Sequence, residues 1–253
     1  MVNLIYDASF EGLMTAIFEV FEYRYRSVDI LPENRAAQLD LFAGRHEVIT
    51  QTEKAERVLK KLEENVDKKG ISQLMYVFMS ELNERESLIL HLVRKSVKNP
   101  KKYVFNDLAD DKILAIAKIC KSVGREVHRM KAFVRFEKLQ DETYFARIEP
   151  DFDVLPMLKN HFYHRYRDQK WLIYDKRRNY GLFYDLETCE MIFPTGDFAQ
   201  NPEDLWHTEE KNYQKLWQRY FVKMGIEERK NTKLHLQNMP KRYWKYLTEK
   251  KIY

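Results

Sequence analysis

The spacing of apolar residues predicts a helical first half of the chain. Val2–Tyr6 is a short apolar run typical of a strand. Ser9 then stands where a helix N-cap is expected, before apolar residues three and four positions apart. The same spacing predicts helices over residues 52–66, 71–82 and 86–97, and a further helix through residues 113–120. We therefore expect one strand followed by five helices.

From about residue 132 the apolar period changes to an alternation typical of strands. Two hairpins are predicted, one from residues 132–138 and 144–149 and one from residues 171–174 and 180–184, with a further strand over Cys189–Phe193. Helices are predicted over residues 154–167, 202–224 and 241–249. Asp151 or Asp153 is expected to cap the first of these, and Asn201 with Pro202 to begin the second.

These elements predict an α+β fold, with a helix-rich N-terminal half and antiparallel β-hairpins separated and covered by helices in the C-terminal half. Residues 1–80 are expected to form a strand and helix segment packed on a core domain of residues 81–253, as one compact unit. Asp7 and Glu11 interrupt the first apolar stretch too early for a signal peptide, and no apolar run is long enough to span a bilayer. A cytoplasmic protein without membrane contact is expected.

The composition excludes several classes of site. The chain has two cysteines, Cys120 and Cys189, which are too few for an iron–sulfur cluster, a zinc ribbon or a disulfide framework. Its seven glycines are widely separated, so no glycine-rich phosphate-binding loop is present. His161 and His164 are spaced to share a metal, but no third ligand at a fitting helical spacing accompanies them. No metal or cofactor is predicted.

The distribution of charge and aromatic rings points to an anionic partner. Residues 1–158 carry 25 Lys and Arg against 26 Asp and Glu, whereas residues 159–253 carry 19 against 13, a net charge of +6. The second stretch also holds all four tryptophans and 19 of the 35 aromatic residues. Basic charge mixed with aromatic rings suits nucleic acid, because phosphates attract Lys and Arg while unstacked bases pack on rings. The alternative is a basic domain whose aromatic residues build its core.

The predicted helix over residues 202–224 has the strongest pattern of this kind. One of its faces is aromatic and apolar and is expected to be buried: Tyr213, Leu216, Trp217, Tyr220 and Met224. The other carries a row of cations that spans about 18 Å at a helical rise of about 1.5 Å per residue: Lys211, Lys215, Arg219 and Lys223. This row is either a phosphate-binding ridge or an ordinary solvated face.

Three further basic patches are candidates for nucleic-acid contact. In the predicted helix over residues 241–249, Tyr243 and Tyr246 are expected in the core and Trp244 at its border. The tip of the second hairpin holds three consecutive cations, and a third patch lies near residue 128. The candidate contacts are Lys241, Arg242, Trp244 and Lys245; Lys176, Arg177 and Arg178; and Arg125, Arg129 and Lys131. Solvated polar surface is the alternative for each patch.

Signals for catalysis are weaker. Glu149 and Asp151 are close in sequence, as paired carboxylates for acid–base chemistry are, and Asp7 directly follows the first strand. A serine nucleophile flanked by glycines is absent from the sequence. Whether the protein is an enzyme is left open.

Several segments, in this order, carry a resemblance to a known family. They are Ile5–Phe18 (IYDASFEGLMTAIF), His128–Phe136 (HRMKAFVRF), Ala146–Asp153 (ARIEPDFD), Trp171–Arg178 (WLIYDKRR), Trp217–Phe221 (WQRYF) and Met239–Tyr246 (MPKRYWKY). The chain resembles an uncharacterised bacterial family, a domain of unknown function described as probable DNA metabolism or putative DNA repair proteins. Ala8 is a departure, since the family's opening motif has glycine there.

The resemblance implies a radical-SAM partner, because members are encoded beside a putative radical-SAM protein of DNA modification or repair. Some relatives also carry a uracil-DNA-glycosylase-like domain. No catalytic residues are carried over from the family.

Three functions are therefore considered. The first is a DNA-binding accessory subunit in DNA repair or DNA metabolism, with DNA and the radical-SAM protein as partners. The second is an enzyme acting directly on DNA, glycosylase-like or nuclease-like, that uses a carboxylate. The third is an interaction scaffold without nucleic-acid affinity, whose basic faces dock an acidic partner.

Overall fold

A computed structural model describes residues 1–38, 44–99, 104–194, 202–225 and 231–251. The chain divides into two compact units, unit 1 (Met1–Val123) and unit 2 (Gly124–Tyr253). The fold class is α+β, as the sequence predicts. No helix of the described ranges is both long enough and apolar enough to cross a membrane. The expected division of the chain at residue 80 stays a prediction.

Unit 1 begins with a three-stranded parallel sheet. Its strand order is β2-β1-β3, with β1 at Val2–Tyr6, β2 at Val28–Pro32 and β3 at Gly44–Glu47. Parallel neighbours need a crossover connection, which α1 (Phe10–Glu22) provides between β1 and β2. Ser9 caps α1 as predicted, because its hydroxyl accepts a hydrogen bond from the Gly12 amide at 2.8 Å.

Among the described residues of unit 1, four α-helices follow the sheet: α2 (Thr52–Asn65), α3 (Lys68–Met79), α4 (Arg85–Lys98) and the first part of α5 (Asp111–Phe133). Leu13 and Ile17 of α1, Leu62 of α2 and Ile89 of α4 are fully buried, so the predicted apolar faces form the core of this unit. Asp110 caps α5 through a hydrogen bond from the Ile113 amide at 3.2 Å.

Unit 2 is built on a five-stranded mixed sheet of order β4-β5-β6-β7-β8. Its strands are β4 (Glu137–Lys138), β5 (Tyr144–Ile148), β6 (Trp171–Asp175), β7 (Tyr180–Tyr184) and β8 (Cys189–Ile192). Strands β5 and β6 are parallel and are joined through α6 (Leu155–Arg165), whereas the other neighbours are antiparallel. The two predicted hairpins are therefore parts of one sheet.

Three predictions about elements of unit 2 were wrong in part. The strand expected over residues 132–138 is shorter than predicted, because α5 continues to Phe133 and β4 begins only at Glu137. The helix expected over residues 202–224 is a 3₁₀ turn at Pro202–Leu205 followed by α7 (Glu210–Lys223). The helix expected over residues 241–249 is two 3₁₀ segments, Lys241–Tyr246 and Thr248–Lys250, preceded by α8 (Thr232–Asn238). The predicted cap Asn201 lies outside the described residues.

Candidate nucleic-acid interface

Helix α7 presents to solvent the aromatic face that the sequence predicts to be buried. Tyr213 and Tyr220 are each 54% exposed, Leu216 is 59% exposed, Trp217 40% and Met224 62%. The prediction of a buried face was wrong. Apolar periodicity identifies which residues share a face, but it does not show which face packs against the rest of the unit.

Polar contacts hold α7 in place instead. The Glu210 carboxylate is buried and accepts a hydrogen bond from the Lys138 amide at 2.9 Å. The Gln218 side-chain amide donates to the Thr248 carbonyl at 3.1 Å, and Trp217 Nε1 donates to Glu249 Oε2 at 3.0 Å. The helix therefore rests on β4 and on the 3₁₀ segment Thr248–Lys250 through Glu210 and Gln218 of its polar side and through the indole N–H of Trp217.

The cations of the predicted ridge are also exposed on α7. At about 100° per residue, the ridge lies beside the aromatic face around the helix axis. Within the described ranges, no carboxylate lies at ion-pair distance from any of the four. We call the following residues the α7 surface: Lys211, Tyr213, Lys215, Leu216, Trp217, Arg219, Tyr220 and Lys223.

Trp217 has a fixed orientation on this surface. Its ring is stacked on Tyr220, with centroids 5.6 Å apart and an interplanar angle of 27°. The Arg135 guanidinium lies 5.9 Å from the Trp217 ring centroid and also binds both oxygens of the buried Glu249 carboxylate, at 2.7 and 3.2 Å. Because these contacts restrain the indole, Trp217 and Tyr220 form a pair of adjacent, partly exposed rings at the surface.

The segment Lys241–Tyr246 contributes less aromatic surface than α7. Tyr243 is buried as predicted, and Trp244 is half-buried with its Nε1 donating to the Met239 carbonyl at 3.0 Å. The ammonium groups of Lys241 and Lys250 lie 5.9 and 5.1 Å from the Trp244 ring centroid. The indole is therefore already in contact with two cations.

We call residues 149–153 the acidic loop. In this loop, predicted catalytic carboxylates form ion pairs with cations that were predicted to contact nucleic acid. Glu149, a candidate catalytic carboxylate, pairs with Lys245 and accepts a hydrogen bond from Tyr246 Oη at 2.7 Å. Asp151, the second candidate, pairs with Arg242. These hydrogen bonds, first that from Lys245 and then that from Tyr246, hold the pKa of Glu149 below its ordinary value. Glu149 is therefore ionised at neutral pH and is unsuited to act as a general acid.

The acidic loop also fixes the tip of the β6–β7 hairpin. Arg178 pairs with Asp175 at 2.7 Å, and the Asp151 carbonyl accepts hydrogen bonds from both Arg177 and Arg178. Asp175 is fully buried, and this burial raises the pKa of its carboxyl group although Arg178 opposes the rise. Arg178 is thus a structural residue, while Lys176 and Arg177 are exposed at the tip.

The predicted cap of α6 was wrong. The residue at the N-cap is Val154, which makes no side-chain capping hydrogen bond. Asp153 instead accepts a hydrogen bond from the Tyr180 hydroxyl. The carboxylates of the acidic loop therefore bind neighbouring segments of unit 2, not the start of α6.

The patch near residue 128 lies along the last part of α5. Arg125 is exposed, and Arg129 donates a hydrogen bond to the Gln237 carbonyl at 3.2 Å. Lys131 is exposed and lines an open cleft together with residues of α6. The structure therefore does not gather the three cations into one arrangement.

Asp7 lies in unit 1 and is held by its neighbours. Its Oδ1 accepts hydrogen bonds from the Ser9 amide at 3.0 Å and the Ser9 hydroxyl at 2.6 Å, and its Oδ2 accepts one from Thr50 at 2.8 Å. Burial acts to raise the pKa of Asp7, but the hydrogen bonds from Ser9 and Thr50 lower it. A Cβ at Gly12 would lie 2.1 Å from Oδ1, so this close packing depends on glycine. Asp7 thus joins β1, α1 and the segment after β3.

Glu126 organises the base of the acidic loop and was not among the residues predicted from the sequence. It is 2% exposed and accepts hydrogen bonds from the Tyr243 hydroxyl at 2.6 Å, Arg242 at 2.7 Å and the Asp151 amide at 3.0 Å. A signal was present, because Glu126 is a charged residue on the apolar face of α5, between Val123 and Met130. Among the described residues, no group of three or more His, Cys, Asp or Glu is arranged to hold a metal ion.

Fold and site together define an α+β protein whose second unit combines an exposed basic-aromatic helix with a tightly ion-paired acidic loop. A family model described as "Domain of unknown function (DUF4130)" matches residues 83–249. The chain therefore belongs to this family. The sequence matches no curated protein. The family's description names no activity and no partner, so the association with DNA repair stays a prediction.

Proposed function

We propose that the protein is a DNA-binding accessory subunit of DNA repair or DNA metabolism that binds single-stranded DNA through the α7 surface. The observation that carries this proposal is the solvent exposure of Tyr213, Trp217 and Tyr220 beside a row of exposed cations. Unstacked bases pack on exposed rings, while Lys and Arg neutralise the phosphates. Because bases in a duplex are already stacked, this arrangement favours a single strand.

The proposal assigns the chemistry to a partner. The resemblance implies a radical-SAM protein, and the two cysteines of this chain are both buried and too few to ligate an iron–sulfur cluster. The carboxylates considered for direct catalysis are engaged in hydrogen bonds and ion pairs, which supports the accessory role over an enzyme acting by itself.

Binding is tested by fluorescence anisotropy with a labelled single-stranded oligonucleotide and with its duplex. We expect the single strand to bind more tightly. Since stacking on one ring contributes about 1–3 kcal/mol, the double variant Tyr213→Ala/Tyr220→Ala should weaken single-strand binding about tenfold or more. The double variant Lys215→Glu/Arg219→Glu should weaken both forms.

Matched controls come from unit 1, where Tyr23 is 51% exposed and Lys60 is exposed on α2. Tyr23→Ala and Lys60→Glu should bind as the unchanged protein does. If both α7 double variants also retain full affinity at low salt, the proposed surface is refuted.

The partner is tested separately, by co-expression with the radical-SAM protein and size-exclusion chromatography with and without nuclease treatment. A complex that survives nuclease supports a direct protein contact. Separate elution under both conditions contradicts the partnership. It does not affect the conclusion on DNA binding, which the anisotropy titrations test independently.

A further inference from the structure

An open cleft of about 620 Å³ lies between the end of α5 and one face of α6 in unit 2. The face of α6 is a stripe of residues spaced three and four apart, which helical geometry places one above the other. The opposite side of α6 packs inward through Leu155, Leu158 and Phe162. The residues that line the cleft are Lys131, Met157, Asn160, His161, His164 and Arg165.

The polar groups of this cleft are cations and hydrogen-bond donors. Lys131, Arg165 and the two histidines can each present an N–H group, as can the Asn160 side-chain amide. No carboxylate lines the cleft, and none within the described parts of the chain forms an ion pair with Lys131 or Arg165. The cleft is thus a concentration of positive charge without a counter-ion among the residues that the structure describes.

The positive charges of the cleft affect the pKa of His161. Burial lowers the pKa of His161 below its ordinary value, and the charges of Lys131 and Arg165 lower it further. A divalent metal would add to the same repulsion, so the pair of histidines is better suited to an anion than to a metal. An anion would stabilise the positive charges of the cleft and favour protonation of the imidazole.

We propose that this cleft is a binding site for a phosphate group. Arg165 can present two parallel N–H donors that match two phosphate oxygens, and Lys131 supplies a point charge from the opposite side. Of the described residues that line the cleft, none has an aromatic ring other than the two histidines, and Met157 is the apolar one. Recognition is therefore of the charged group and not of an attached base.

Two sources can supply such a group, the 5′-phosphate of a nucleic-acid strand and a small phosphorylated molecule. The cleft is open to solvent, so it admits a phosphate attached to a larger ligand as well as a free one. This proposal does not rest on the α7 surface, because the two sites share no residue.

The site is tested on the full chain by following the histidine imidazole resonances in ¹H–¹³C NMR spectra during titration with inorganic phosphate at constant ionic strength. The chain has seven histidines, and His161→Gln and His164→Gln variants assign the two resonances of the cleft. We expect saturable shifts of both, with His46 of unit 1 unaffected. The pKa of His161 should rise in the presence of phosphate.

Substitutions then separate a site from general charge. Arg165→Gln and Lys131→Gln should each weaken phosphate binding about tenfold, as the loss of a charge-assisted hydrogen bond implies. Lys159→Gln is the matched control, because Lys159 is exposed on α6 but does not line the cleft. All of these side chains are exposed, so the remaining spectrum should be unchanged.

A last comparison distinguishes the sources, using one oligonucleotide with a 5′-phosphate and the same oligonucleotide with a 5′-hydroxyl. Tighter binding of the phosphorylated strand, lost in Arg165→Gln but kept in the α7 variants, identifies the end of a strand as the ligand. Equal binding of the two strands together with saturable phosphate binding identifies a small phosphorylated molecule. If phosphate produces no saturable shift of His161 and His164, or equal shifts in Arg165→Gln and the unchanged protein, the proposal is overturned.

Discussion

At the scale of single residues, Glu126 connects three parts of unit 2 that are distant in sequence. Its carboxylate accepts hydrogen bonds from Arg242 and Tyr243 in one segment and from the Asp151 amide in another. Such contacts between residues more than 100 positions apart leave no periodic signal in the sequence. Asp151 and Arg242 were therefore predicted as members of different sites, although they form an ion pair with each other.

We expect Glu126→Gln to destabilise the protein by about 1–3 kcal/mol. The substitution keeps the volume of the side chain but removes the negative charge that Arg242 and Tyr243 bind, which leaves a buried group unsatisfied. Urea unfolding followed by circular dichroism measures the change. Glu64→Gln, at an exposed ion pair on α2, is the control and should leave the unfolding curve nearly unchanged.

Asp110, the residue that caps α5, should make the stability of the protein depend on pH in the acid range. Hydrogen bonds from Lys95 and His91 hold the pKa of Asp110 well below its ordinary value. The unfolded value is about 3.9, so the ionised carboxylate contributes stability that is fully present above that pH and is lost as pH falls through the folded pKa. Asp110→Asn keeps a good helix cap but removes the charge. This variant should be less stable than the unchanged protein at neutral pH, and the difference should shrink in acid.

Melting temperatures measured from pH 7 downwards follow this difference. Asp29→Asn provides the control, as the same substitution at an exposed position of β2. A constant difference between Asp110→Asn and the unchanged protein at all pH values would show that the charge is not the cause.

At the scale of elements, helices were predicted correctly where the apolar face packs into the core and the capping residue directly precedes the helix. Helix α1 is an example, with Ser9 as its cap and Leu13 and Ile17 in the core. Strands β2 and β3 were not predicted. In β3 the sequence is the polar GRHE, and the strand is defined by its pairing with β1. Helix α7 has a clear apolar face, but Glu210 and Gln218 on its polar side make the contacts that place it.

The orientation of α7 predicts which of its residues matter for stability. Leu216→Ser and Tyr213→Ser should each change the free energy of unfolding by less than about 0.5 kcal/mol, because both side chains are exposed. A buried face would make such changes cost about 2 kcal/mol or more. Gln218→Leu, which removes the hydrogen bond to the Thr248 carbonyl, should destabilise more than either. Thermal and urea unfolding of the three variants decides between the two orientations.

At the scale of the whole molecule, the asymmetry of charge falls on one unit. The basic excess of residues 159–253 belongs to unit 2, which also contains the α7 surface and the phosphate cleft. In the acidic loop the charges are paired, whereas the cations of α7 have no carboxylate at ion-pair distance among the described residues. The α7 ridge and the cleft are therefore two local concentrations of cations that are available to a polyanion.

This concentration predicts a salt dependence of binding. Each phosphate contact on a single strand contributes about −0.7 to the slope of log K against log salt concentration, so four ridge cations predict a slope of roughly −3. The Lys215→Glu/Arg219→Glu variant should reduce the magnitude of the slope by about 1.4. Anisotropy titrations at several salt concentrations give both slopes, and equal slopes would contradict a role for the ridge.

Residues 242–249 make buried ion pairs and hydrogen bonds in unit 2, and these contacts can form only after that segment has been synthesised. The buried carboxylate of Glu126 receives Arg242 and Tyr243 as partners, and Arg135 receives Glu249, across separations of 114 to 117 residues. A ribosome makes these partners long after the strands of the sheet have emerged. The nascent chain therefore holds Glu126 and Arg135 without these partners until residues 242–249 have been made, so the ion pairs of this segment can form only late in synthesis.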